Sequence, residues 1–170
     1  MLIYGINPVL EALKARRVTS LRIAARADDR IREIERVAAS QGVVVRRVDG
    51  GWRVLLLRVY NYWDCPKGLV EPGEDALTTA RREVREETTI DDLEFAWGES
   101  FIDTPPYGRE KKIARYFVAR TGTEAISLPV NPGLGKPEHH EWRWCDWETA
   151  EQLVNDRLWT VLRRAQDIID

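Results

Sequence analysis

Cysteine is scarce, with Cys65 and Cys145 the two in 170 residues. Two thiols cannot build a disulfide framework, and their spacing is not that of a metal site. A reduced, cytoplasmic setting is the expectation. Long apolar runs are missing as well; none approaches the roughly 18 residues that a membrane span needs. The opening Met1-Leu2-Ile3-Tyr4-Gly5 puts no basic segment ahead of a long apolar one, so a signal peptide is not expected. Repeats and low-complexity tracts are also absent, which argues against a solenoid. Neither sign of charge is in large excess. There are 26 Lys and Arg against 28 Asp and Glu, for a net charge of −2. The whole chain therefore exerts no strong pull on nucleic acid.

What is present is an ordinary globular composition, 44% apolar and 32% charged. That suffices to close a core, and the length fits one domain with or without an appendage. Charge is spread unevenly. Residues 1–50 hold 10 Lys and Arg against 6 Asp and Glu, whereas residues 51–170 hold 16 against 22. Such asymmetry points to two segments, divided here as 1–41 and 42–170.

The first segment reads as alternating helix and strand. Asn7-Pro8 suits a helix start, with Asn as cap and Pro in the first turn. Leu21 to Ile23 is strand-like. Asp28-Asp29 opens a second helix with Ile31, Ile34, Val37 and Ala38 on one face, ended by Gly42. Val43 to Val45 is a strand. The second segment reads as a mixed α+β domain. Its strands are expected over Arg53–Tyr60, Leu93–Trp97, Ala114–Arg120 and Glu141–Cys145. Its helices are expected over Ala76–Thr88 and Trp147–Ile169. Pro- and Gly-punctuated loops fall at 66–74 and 128–137.

The informative stretch is Gly68-Leu69-Val70-Glu71-Pro72-Gly73-Glu74 followed by Arg82-Glu83-Val84-Arg85-Glu86-Glu87. On a helix, Glu83 and Glu87 lie about 40° apart, with Glu86 about 60° to the other side of Glu83. Three carboxylates thus share one face near the negative end of the helix dipole. Three glutamates alone describe a solvated surface helix. Preceded by a Gly-rich loop, a further Glu and an Arg, they describe a site for a hard divalent ion such as Mg²⁺, which also suits a phosphate-bearing substrate.

The segment resembles the Nudix box, G-x5-E-x7-R-E-U-x-E-E-x-G-U, with U apolar. Gly68, Glu74, Arg82, Glu83, Val84, Glu86, Glu87 and Ile90 match it; Thr89 stands where the family has Gly. That Gly normally takes a left-handed conformation, which costs other residues about 1–2 kcal/mol. The resemblance implies the Nudix α/β/α sandwich with a mixed sheet over roughly 42–170. It also implies hydrolysis of a nucleoside diphosphate linked to another group. Glu83, Glu86 and Glu87 are the implied metal ligands, joined by the Gly68 carbonyl. Arg82 is implied to orient the glutamates. The implied ion is Mg²⁺, with Mn²⁺ as a substitute.

The flanks are similar to those of diadenosine tetraphosphate hydrolases and RNA pyrophosphohydrolases. Trp63-Asp64-Cys65-Pro66-Lys67-Gly68 resembles a W-x-x-P-K-G segment, in which Lys67 would hold a phosphate. Pro137-Glu138-His139-His140-Glu141-Trp142-Arg143-Trp144 resembles P-E-x-x-x-W-R-W. Glu138 is thereby implied as a further metal ligand or general base, with Glu86 the other candidate base and Glu141 the weaker alternative. His139 and His140 are not read as ligands, because Mg²⁺ prefers oxygen. Tyr116 corresponds to an aromatic on which the family stacks a base, although a strand Tyr is as often core. Arg109, Lys111 and Lys112 form a basic patch that would meet a polyphosphate chain.

Residues 1–49 resemble part of the substrate-binding domain of SpoU-type RNA 2′-O-ribose methyltransferases, through Tyr4-Gly5 with Val9 and Leu13 and through Ile31–Val48. About half of that domain is covered, so a short α/β appendage without methyltransferase activity is expected. An excess of four positive charges is too small to hold RNA by phosphate contacts alone. An incomplete half-domain with an exposed edge would also allow dimer pairing. The resemblance points to a Mg²⁺-dependent hydrolase of dinucleoside polyphosphates, with no membrane partner. The alternatives are RNA 5′-pyrophosphate removal and a non-catalytic RNA-binding adaptor.

Overall fold

The structure is a computed structural model and describes residues 37–71, 73–108 and 112–170. The expected strand at Leu21–Ile23, the helix start at Asn7-Pro8, and Arg109 and Lys111 of the basic patch lie outside the described residues.

Nine strands and three helices are described. The strands are β1 (Val37–Val48), β2 (Gly51–Val59), β3 (Tyr62–Asp64), β4 (Lys67–Gly68), β5 (Phe101–Asp103), β6 (Ile113–Arg120), β7 (Val130–Asn131), β8 (Lys136–Pro137) and β9 (Glu141–Cys145). The helices are α1 (Ala76–Thr88), α2 (Trp147–Leu153) and α3 (Asp156–Ile169). Seven strands form one sheet along the path β3-β2-β1-β6-β5, with β4 added to β1 and β9 added to β2. The sheet is mixed because β1 and β6 run parallel while the other pairs are antiparallel.

Strand alternation divides the core into two layers. Val43, Val45, Val54, Leu56, Tyr116 and Val118 face α2 and α3, packing on Leu158, Val161 and Leu162. Val44, Leu55 and Leu57 face α1, packing on Val84 and Ile90, with Trp142 and Trp144 alongside. The central runs Val43–Val45 and Val54–Leu57 are buried on both faces, so they read as continuous rather than alternating apolar sequence. The expected α/β/α sandwich is the observed fold.

α1 spans the expected residues. Asp75 caps it, its Oδ1 accepting from the Thr78 amide at 2.9 Å. α1 lies so close to the sheet that a Cβ on Gly42 would stand 2.5 Å from Val84 Cγ2. Gly42 therefore permits close helix–sheet approach and does not end a helix. The helix expected from Asp28-Asp29 is corrected at its end, because β1 already begins at Val37; its residues 28–36 lie outside the described residues. The β-branched Val37 and the Val43–Val45 run, paired along β6, outweigh the helical spacing. β1 thus runs across the 41/42 division.

Three further differences are local. Leu93–Trp97 is not a strand; Glu94 makes an isolated bridge to Arg120. The helix expected over Trp147–Ile169 is two helices, because Asn155 is extended and caps α3 through Oδ1 to the Leu158 amide at 3.1 Å. The proline-rich loop at 128–137 contains the β7–β8 hairpin. That hairpin and the β4 segment bring the ends of α1 and β9 to one place.

Candidate active site

Glu83, Glu86 and Glu87 of α1 line one cavity with Glu138 and His139, which precede β9. The cavity measures about 440 Å³, and Leu128, Pro129, Val130, Asn131 and Pro132 form its opposite wall. The β7–β8 hairpin, which supplies part of this wall, is tied to Glu138 through Asn131 Nδ2, which donates to Glu138 Oε2 at 3.4 Å.

Arg82 organises the carboxylates. Its Nε and Nη2 grip both oxygens of Glu74 at 3.0 and 2.9 Å. Its Nη1 donates to Glu83 at 2.5 Å and to Glu86 at 3.2 Å, and Nη2 also reaches the Leu69 carbonyl at 3.1 Å. One planar fork therefore fixes the loop, the remote Glu74 and two of the three helix carboxylates. The hydrogen bonds from Arg82 hold the Glu74 carboxyl below its ordinary range.

Gly68 abuts the Glu83 carboxylate; a Cβ there would overlap its Cδ and both oxygens. Burial raises the Glu83 pKa, opposed by the hydrogen bond from Arg82. Glu87 is 8% exposed. Burial raises its pKa too, opposed by His139 and assisted by Glu138. Its Oε2 accepts from the Lys67 amide at 3.2 Å, while Oε1 is buried with no hydrogen-bond partner.

Glu87, Glu138 and His139 each place a ligand atom within 4.8 Å of the others. His139 is 2% exposed. Its Nε2 stands 3.1 Å from Glu87 Oε2, poorly aligned for a hydrogen bond. This is the residue that sequence reasoning passed over. The signal available was its place directly after Glu138.

An acidic cluster of this kind leaves a buried carboxylate oxygen unpaired, which is costly without a cation. Apart from the His139 imidazole, the donors are carboxylate oxygens on a helix and a facing loop, as a hard divalent ion requires. The residues present therefore fit a divalent metal.

Other expected site residues fall outside the cavity. Lys67 places its amide on Glu87, but its ammonium is bound to Asp64 Oδ2 at 2.5 Å. Burial lowers the Lys67 pKa and the Asp64 charge overrides it, for a net rise. Lys112 is exposed and bridges Tyr107 through its backbone. Tyr116 needs correction. It has no exposed surface and belongs to the core under α3. The parallel pairing of β1 with β6 places it opposite Gln41 inside the sheet, so it presents no face for stacking a base.

A helix whose carboxylates are set by one arginine beneath a glycine loop, on an α/β/α sandwich, defines a metal-dependent hydrolase scaffold. The chain belongs to the Nudix family, whose NUDIX domain matches residues 36–165. The family for RNA 2′-O ribose methyltransferase substrate binding matches residues 2–52.

Among relatives, the asymmetrical bis(5′-nucleosyl)-tetraphosphatase of Caenorhabditis elegans is 31% identical over 125 residues, covering 70% of this chain and 86% of that protein. The Mus musculus protein of the same name is 36% identical over 96 residues, covering 55% of this chain and 62% of that protein. An RNA pyrophosphohydrolase of Pelagibacter ubique is 32% identical over 110 residues, covering 56% and 66%. The crystal structure of a C. elegans Ap4A hydrolase binary complex superposes with a TM-score of 0.65 at 27% identity, covering 77% of this chain and 97% of that one.

Proposed function

We propose that this protein is a Mg²⁺-dependent hydrolase of dinucleoside polyphosphates, with diadenosine tetraphosphate, cleaved to ATP and AMP, as the leading substrate. The observation that carries the reading is that Glu83, Glu86, Glu87 and Glu138 line one cavity, in which Glu87 Oε1 is buried and unpartnered and Glu138 comes within ligand distance of Glu87. The similarity to the two tetraphosphatases supports the substrate class.

Glu83, Glu86, Glu87, Glu138 and the Gly68 carbonyl would hold the metal, Mg²⁺ or in its place Mn²⁺. Such an ion, when bound, neutralises phosphate charge and acidifies water. The residues supply the rest. Arg82 locks Glu74, Glu83 and Glu86 in one geometry. Glu138 takes the proton of the attacking water. It suits that role better than Glu86, because Glu86 accepts from the charged Arg82 guanidinium whereas Glu138 accepts only a long bond from the neutral Asn131 amide. Water attacks a phosphorus in line, and the bond to the bridging oxygen breaks. Lys67 acts mainly by holding Glu87 through its amide. Lys112, with Arg109 and Lys111, meets the phosphate chain.

RNA 5′-pyrophosphate removal is the second reading. The match of residues 2–52 to an RNA-substrate domain and the 32% identity to an RNA pyrophosphohydrolase favour it. We take the residues ahead of β1, which were divided in sequence at 41 but end at 36 in the fold, as a packing appendage suited to dimer pairing, in a cytoplasmic protein.

The test is a substrate panel with Glu87→Gln as control. Wild type should release ATP and AMP from diadenosine tetraphosphate only with Mg²⁺ or Mn²⁺, faster than it releases pyrophosphate from 5′-triphosphorylated RNA. Glu87→Gln should melt cooperatively and lose most turnover. Turnover near the wild-type rate in that variant refutes the metal assignment. The reverse substrate preference establishes the second reading, and no turnover of either substrate by wild type leaves the adaptor role.

A further inference from the structure

A second groove of about 260 Å³ lies on α1 beside the carboxylate cavity, lined by Thr78, Arg81, Arg82, Arg85, Ile90, Asp91 and Leu93. Arg85 lines both cavities, and Arg82 stands between the groove and the carboxylates. Helical geometry explains the arrangement. Around the axis Arg81, Arg85 and Thr78 fall within about 60° of one another, and Arg82 and then Glu86 follow on one side. A basic stripe thus runs directly alongside the acidic one.

The arginines differ in what holds them. Arg82 is committed to Glu74, Glu83 and Glu86. Arg81 and Arg85 have no carboxylate partner among the described residues. Arg81 is instead steadied by Phe95, its guanidinium carbon 4.3 Å from the ring centre. This contact leaves its N–H donors free in the ring-parallel direction. Asp91 is the groove's one acidic residue. Arg85 occupies the variable position of the box, so the box itself does not require an arginine there.

We infer that Arg85 and Arg81 form a phosphate subsite continuous with the carboxylate cavity, taking the part of a polyphosphate chain that extends beyond the metal-held phosphates. The inference rests on the proposed hydrolase reading and deepens it. Arg85 receives the first phosphate outside the cavity. Arg81, four residues earlier and about 6 Å further along the axis, receives the next. The Thr78 hydroxyl, held by Asp75 at 2.8 Å, stands at the far end of the stripe. Arginine suits the task because its fork pairs with two phosphate oxygens at once. The subsite makes chain length a determinant of affinity.

The test uses the full chain and the double variant Arg81→Gln/Arg85→Gln. Both side chains are exposed, so the fold should survive. A cooperative melt confirms this, and Arg85→Gln alone serves if the double variant fails. With Mg²⁺, kcat and KM are measured for dinucleoside polyphosphates of three to six phosphates. In wild type KM should fall as the chain lengthens. In the double variant this trend should flatten, with KM for the longest chain about tenfold higher and kcat within about twofold. The gap should narrow as salt rises, because exposed charges are screened over about 10 Å at 0.1 M.

A second arm needs neither metal nor turnover. Inorganic tripolyphosphate, titrated in EDTA, should bind wild type about tenfold more tightly than the double variant. Equal binding of tripolyphosphate by the two proteins overturns the subsite, and so does a KM change independent of chain length. Should wild type cleave no dinucleoside polyphosphate, the hydrolase reading fails, and the tripolyphosphate titration still decides the subsite.

Discussion

Gly68 and Glu83 share one volume: the space a Cβ would fill at residue 68 is taken by the Glu83 carboxylate. The β4 backbone, paired to β1 at Ser40 and Gln41, thus presses against a helix carboxylate that burial already makes reluctant to ionise. Arg82 supplies the compensating charge from the other side. The glycine is a requirement of the site and not of a turn.

Gly68→Ala should therefore displace Glu83 and break its contact with Arg82 while leaving the two apolar layers untouched. A loss of about 10–100-fold in activity or metal affinity is expected, the range seen when a ligand's supporting partner is removed. Titration with Mn²⁺ and a melting curve check it. Wild-type Mn²⁺ affinity in a folded variant would show that Glu83 relaxes without cost.

Thr89 ends α1 at φ 63°, ψ 8°, its amide donating to the Arg85 carbonyl at 2.9 Å. This is the left-handed position that the family fills with glycine, held here by a β-branched residue. The strain is about 1–2 kcal/mol, against about 0.5–1 kcal/mol of extra chain entropy that glycine loses on folding. Thr89→Gly should stabilise the protein by up to about 1 kcal/mol, or about 2–4 °C in Tm for a domain of this size. Calorimetry of both proteins checks the sign. An equal or lower Tm would show that the Thr89 hydroxyl's bond to the Thr88 carbonyl, at 2.6 Å, offsets the strain.

Part of this was legible in the sequence because it is local. The limits of α1 follow from its apolar spacing, and the orienting role of Arg82 and the left-handed position of residue 89 from the resemblance to the family's box; the Asp75 cap was not read there. What was not legible depends on pairing between distant strands. Val37 and Ala38 fit a helical face, and only the parallel partner β6 makes them strand. Tyr116 looked suited to stacking until α3 covered it. His139 looked like a bystander of Glu138, yet the turn into β9 drives it inward against Glu87. Asn155 carried a capping signal that the long apolar periodicity over 147–169 obscured.

Tyr116 makes a pH prediction. Its hydroxyl is buried without a hydrogen-bond partner, and burial pushes its pKa far above the ordinary phenol value. In the unfolded chain that value is about 10. A folded-state pKa raised above the unfolded one means full stability below about pH 10 and progressive loss as pH rises beyond it. Burial raises the Cys65 thiol as well, so wild type should begin to weaken somewhat earlier. Tyr116→Phe removes the phenol part alone. It should equal or exceed wild-type stability at pH 7, because it deletes an unpaired buried hydroxyl. It should also lose less stability between pH 9 and 11. Urea midpoints across that range measure the difference, and parallel curves for the two proteins would show that the phenol ionises within the folded state.

Every carboxylate proposed to hold metal, together with Arg82 and Gly68, lies between residues 68 and 138, and β1 begins at Val37. Removing residues 1–36 keeps β1 whole, with its pairings to β2, β4 and β6. A cut at the 41/42 division would instead sever it. It would take away Ser40, whose hydroxyl donates to the Ala76 carbonyl at 2.5 Å and ties the sheet to the start of α1. It would also remove the partners of Lys67 and Gly68. The shorter deletion should therefore leave a cooperative melt and metal-dependent hydrolysis within about threefold of wild type. The longer one should lose both stability and activity, because β4 no longer has a strand to hold it against Glu83. Loss of hydrolysis in a folded 37–170 chain would mean that residues 1–36 build part of the site, and the appendage reading would fall.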